Sequence, residues 1–135
     1  MAKRNIHGEW TIRLDDRFLY SDVVGSTNTE ASLAYLEELK QTILTSPGGV
    51  KSPWVILHDG RRWEMSSADA KVGNDAITDW CKEHQCMLFA IVLENSMQRF
   101  ASEIVFKEQS ILKFYFDYDE AYQACLDALA EAKNR

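Results

Sequence analysis

The sequence predicts an α/β protein: a five-stranded, mostly parallel sheet that begins with an antiparallel hairpin and carries about four helices. Three observations lead there. Two uninterrupted apolar runs, Trp54 to Leu57 and Met87 to Leu93, have the pattern of strands covered on both faces, as parallel strands are. Stretches of helical period separate the strand-like segments, so their connections are crossovers, which are right-handed. The chain also opens on two neighbouring segments that read as strands, close enough to pair as a hairpin.

In the first of these, Trp10, Ile12 and Leu14 alternate with Thr11 and Arg13, Asp15-Asp16 supplies a turn, and Phe18 to Val24 returns as the second strand. Gly25-Ser26 ends it. Thr27 with Glu30 has the spacing of a capping box, and Leu33, Ala34, Leu36, Leu39 and Ile43 form the apolar stripe of a first helix running to about Leu44. Ser46, Pro47, Gly48, Gly49 and Pro53 crowd a loop. The strand Trp54 to Leu57 ends at His58 and is closed by Asp59-Gly60. A polar connection then leads to a second helix marked by Ala76, Ile77, Trp80 and Cys81, with Asn74 as its cap and Gly73 just outside, or with an earlier start near Ser66.

Met87 to Leu93 reads as the central strand, and Glu94, Asn95 and Ser96 can begin the next helix. Met97, Phe100, Ala101 and Ile104 give that helix its buried stripe. Ile111 to Phe116 is the last strand. Asp117, three positions before Glu120, starts a final helix lined by Ala121, Cys125, Leu126 and Leu129, with Lys133 and Arg135 near the end that suits positive charge.

The length of 135 residues fits a single domain spanning 1–135. A net charge of -6 argues against nucleic acid or an anionic membrane as partner. No secretory leader is expected, because no apolar run follows the basic residues of Met1 to Glu9, and no apolar stretch approaches the roughly 20 residues of a membrane span. Three cysteines, Cys81, Cys86 and Cys125, are an odd number, so a cytoplasmic protein without disulfides is expected. His84 beside Cys81 and Cys86 lacks the paired spacing and fourth ligand of a zinc site, so neither metal nor cofactor is expected.

The order of elements and the segment Phe114-Tyr115-Phe116-Asp117-Tyr118-Asp119-Glu120-Ala121 resemble the SpoIIAA-like fold of STAS domains and anti-sigma-factor antagonists. The opening hairpin, the Gly25 to Glu30 junction and the strand Trp54 to Leu57 are similar to stand-alone bacterial SpoIIAA-like proteins. The resemblance implies a regulatory module that binds a protein, and phosphorylation of a serine at the start of the second helix. By position that serine is Ser66 or Ser67, in a segment where Met65 and Ala68 replace the aspartate and glycine usual around it.

Ligands of open parallel sheets bind beyond the carboxyl ends of the strands. That rule selects Ser26, Asn28, His58, Asp59, Arg61, Arg62, Trp63 and Asn95 as partner- or ligand-binding candidates, with the Arg61 to Trp63 loop as the docking anchor. His58-Asp59 comes with no nucleophile motif, and adjacent strand residues point apart, so no catalytic residue is expected. The leading expectation is a non-enzymatic interaction module. The alternative is a carrier or sensor of a small apolar or lipid-like ligand, and the edge at Trp10 to Leu14 offers a place for a second copy to pair.

Overall fold

The computed structural model describes residues 6–106 and 111–134. Nine elements follow one another: β1 (Glu9–Asp15), β2 (Phe18–Thr27), α1 (Thr29–Leu44), β3 (Trp54–Ser66), α2 (Ala70–Glu83), β4 (Cys86–Val92), α3 (Ser96–Val105), β5 (Leu112–Tyr115) and α4 (Tyr118–Lys133). The strands lie side by side in chain order, β1 antiparallel to β2 and the others parallel. β3 is therefore the central strand, and Met87 to Leu93 lies one place further out. The hairpin turns where Asp16 takes a positive φ of 56°, a conformation aspartate tolerates better than most residues.

Strands laid down in one direction with right-handed crossovers put every connecting helix on the same face. Accordingly Leu36, Leu39 and Ile43 of α1 and Ile77 and Cys81 of α2 pack on Leu19, Trp54, Ile56, Phe89 and Ile91. Ala121, Cys125 and Leu129 of α4 cover the opposite face, against Phe18, Val55, Leu57, Leu88, Ala90 and Val92. Leu126, expected on that stripe, is partly exposed. Lys133 occupies the last turn of α4, and Arg135 lies outside the described residues.

Three element boundaries differ from expectation. Asn28, not Thr27, caps α1: its side chain accepts from Ala31 N at 3.1 Å, while Thr27 is still in β2. α2 begins at Ala70, so Gly73 and Asn74 lie inside it. A Cβ on Gly73 would sit 2.5 Å from Ser32 Cβ, so the glycine serves close approach of α1 and α2. Asn74 Oδ1 accepts from Ser32 Oγ (2.7 Å) and its Nδ2 donates to Val105 O (3.1 Å), tying three helices together. β5 is shorter than Ile111 to Phe116.

α3 faces the other way from its apolar stripe. Gln98, Ala101, Ser102 and Val105 are buried, whereas Met97, Phe100 and Ile104 are exposed. Gln98 explains the orientation, because its Nε2 reaches the carbonyls of Gly60 (3.2 Å), Arg61 (3.2 Å) and Trp63 (2.7 Å) on β3. Those carbonyls lie beyond the last residue pair of β3 with β4, and the amide gives them partners.

Arg17, next to the hairpin turn, is buried and holds the Pro- and Gly-rich loop. Its guanidinium donates to the carbonyls of Pro47 (2.9 Å), Gly49 (2.6 Å), Ser52 (2.6 Å) and Pro53 (3.1 Å). Burial lowers its pKa, and the planar fork suits several carbonyls at once.

Candidate functional site

β3 runs well past the point where Leu57 gives way to His58, continuing to Ser66 as a partner of β2. Its pairing with β4 ends at Asp59 and Val92. The expected loop Arg61 to Trp63 is thus strand, and period two sends its side chains to opposite faces. Arg61 and Arg62 are exposed, and Arg61 forks onto Asp59 at 2.8 and 2.9 Å. That hydrogen bond, ahead of the charge attraction, holds the Asp59 carboxyl below its ordinary range. Trp63 is buried, so it is not a surface anchor. Its indole N–H donates to Ser66 Oγ (3.1 Å) and Thr27 Oγ1 (3.3 Å).

Trp63 instead forms a wall of a cavity of about 70 Å3 between the sheet and α1 to α3, partly open to solvent. The lining is chiefly apolar, with Trp10, Phe89, Phe106 and Leu93 among it, and no Asp, Glu, Lys or Arg among the described residues contributes. β2 and β3 bring Ser21 and His58 into register on this face. Ser21 Oγ lies 2.8 Å from Tyr35 Oη and 2.7 Å from His58 Nδ1. The imidazole stands edge-on to Tyr35 and Phe89, at 5.8 and 6.2 Å between ring centres.

His58 is half-buried and lines the cavity. Burial dominates over the attraction of Asp59 and Asp22 and pushes its pKa down to about 4, so the ring is neutral at pH 7. Burial likewise raises the Tyr35 phenol, whose hydrogen bond with Ser21 offsets little of the effect. His58 and Asp59 diverge, the first to Ser21 and the second to Arg61, so the two do not form an acid–base pair.

The remaining candidates scatter. Asn28 and Asn95 cap helices, Asn95 Oδ1 accepting from Gln98 N at 2.9 Å. Ser26 is exposed near the end of β2. Ser66 closes β3 with its hydroxyl 2.6 Å from Thr27 Oγ1, facing the cavity. Ser67 is exposed just before α2 and donates to the Asp69 carboxylate. Cys81, Cys86 and Cys125 are free and buried, and no cluster of metal-ligating side chains occurs among the described residues.

Sequence reasoning missed Ser21, Tyr35 and Phe106. Ser21 carried a signal: it sits at an inward position of an otherwise apolar alternation in β2, where a hydroxyl needs a buried partner.

No family model and no curated protein matches the sequence. Solved structures do match in shape. An anti-sigma factor antagonist from Mycobacterium paratuberculosis superposes with a TM-score of 0.62 at 13% identity, over 90% of this chain and 96% of its own. An uncharacterised protein with a SpoIIAA-like fold from Shewanella loihica gives 0.59 at 21% identity, over 88% and 95%. Strand order, strand direction and these superpositions agree: the chain has the SpoIIAA-like fold.

Proposed function

We infer that the chain is a non-enzymatic regulatory module of the cytoplasm that works by binding a protein with an apolar segment. The observation that carries this reading is the outer face of α3, where Met97, Phe100 and Ile104 are 80%, 69% and 57% exposed. Large apolar side chains grouped on one ridge favour association. The similarity in fold to an anti-sigma factor antagonist, by name a protein that acts on another protein, supports the same reading. Of the two candidate serines, Ser67 is the one exposed to a kinase. Binding is tested by purifying a partner on the intact chain, identifying it, and repeating the capture with Phe100→Asp combined with Ile104→Asp. Loss of that same partner is expected, and its full retention by a folded variant overturns the assignment.

A second reading, carriage or sensing of a small apolar ligand, is favoured by the cavity behind Trp63. Native mass spectrometry of freshly purified protein then shows a retained small mass, and a bare chain at every preparation counts against it. The outer edge of β1 is where a second copy would pair, and light scattering at high concentration distinguishes dimer from monomer.

A further inference from the structure

The hydroxyls behind His58 determine which ring nitrogen carries its proton. Among the described residues Tyr35 Oη meets only Ser21 Oγ, at 2.8 Å, so the phenol donates to the serine. The serine proton then has His58 Nδ1 as its acceptor, at 2.7 Å. A lone pair on Nδ1 places the proton of the neutral ring on Nε2. Either direction leaves one donor at the cavity without an acceptor among the described residues, the phenol O–H or the ring Nε2–H, and because Tyr35 is buried while His58 is half-buried, the unpaired donor belongs on the histidine. Nε2 itself has no hydrogen-bond partner among the described residues, and its ring lines the cavity.

We propose that the cavity binds a small, uncharged, largely apolar molecule with one hydrogen-bond-accepting oxygen, which takes the His58 Nε2–H while its apolar part lies against Trp63, Phe89 and Phe106. This assignment rests on the reading of the cavity as a ligand site and names the chemistry that site selects. An anion finds no cationic side chain in the lining and a neutral imidazole beside it, so its desolvation is uncompensated. A pure hydrocarbon leaves the N–H unpaired. The volume of about 70 Å3 exceeds the roughly 10–15 Å3 of a lone water site and is about half of the roughly 150 Å3 that encloses a benzene ring, so part of the ligand lies at the open side.

Three probes of one size test the class: acetophenone, α-methylstyrene, in which a methylene replaces the carbonyl oxygen, and benzoate. Binding to the full chain is followed by the indole N–H resonances of Trp10 and Trp63, which line the cavity. Acetophenone is expected to bind about tenfold more tightly than α-methylstyrene, with benzoate weakest, and His58→Phe is expected to abolish the preference. Equal binding of the two neutral probes overturns the oxygen-accepting class while leaving an apolar ligand site standing. Binding of neither overturns both, and a preference that survives in His58→Phe overturns the role of His58. Should that variant not fold, a long-range 1H–15N spectrum of the unaltered protein decides: a protonated Nε2 with bare Nδ1 supports the assignment, and the reverse pattern overturns it.

Discussion

One helix closes one face of the sheet more completely than three helices close the other. Under α4 the side chains are Val55, Leu57, Leu88, Ala90 and Val92 against Ala121, Cys125 and Leu129, all apolar or thiol and buried. Under α1, α2 and α3 the strands begin with Leu19, Trp54 and Ile56 but end with His58, Trp63 and Ser66 around a cavity, with Ser21 behind the imidazole. The difference arises where β3 outruns β4. Beyond Asp59 the sheet is narrower, and α3 is held there by one amide on three carbonyls rather than by its largest side chains. Covering a surface and filling the space beneath it are separate achievements, and only the second requires matched volumes.

The largest effect is expected on the filled face. Leu57→Ala under α4 removes a fully buried side chain of that apolar cluster, and about 3 kcal/mol of stability is expected to go, measured by urea unfolding. A loss below about 1 kcal/mol would show that this face, too, is loosely packed.

Acid attacks the cavity side. The His58 pKa of about 4 in the folded protein lies below about 6.5 in the unfolded chain, so between those values the unfolded state binds more protons. Stability therefore falls as pH drops from about 6.5 to about 4, by on the order of 2–3 kcal/mol, and this contribution is constant outside that window. Unfolding midpoints across this range should separate the protein from His58→Phe, and a constant difference between the two would contradict a buried neutral imidazole.

Gly73→Ala probes the contact of α1 with α2, where the added Cβ meets Ser32 at 2.5 Å. A cost of about 1–2 kcal/mol is expected from overpacking, despite the better helix propensity of alanine. Thermal melting that is unchanged or higher would mean the two helices separate freely. The smallest effect belongs to the surface: Phe100→Asp should alter stability by no more than about 0.5 kcal/mol while weakening partner capture. A large loss of stability would assign Phe100 to the core instead.

Much of the architecture was legible because it rests on local signals. The runs Trp54 to Leu57 and Met87 to Leu93 announced buried strands, and Asp117 capped α4 through Glu120 N at 3.1 Å. The site was less legible for a definite reason. Arg61 to Ser66 has no apolar run, and its strand character depends on hydrogen bonds to β2 and on Gln98, residues distant in sequence. The apolar stripe of α3 misled for the same reason, since a single amide on buried carbonyls decided which side turned inward. His58 and Trp63 were selected by their place at the strand ends, but Ser21 and Tyr35, which orient the imidazole, became visible as a group only in three dimensions.

Xenon offers the most direct test, because it enters dry apolar space without hydrogen bonding and is located by diffraction. Crystals pressurised with xenon should show an atom bounded by Trp63, Phe89 and Phe106, and none between α4 and the sheet. Xenon beneath α4, or an empty space behind Trp63, would contradict the account.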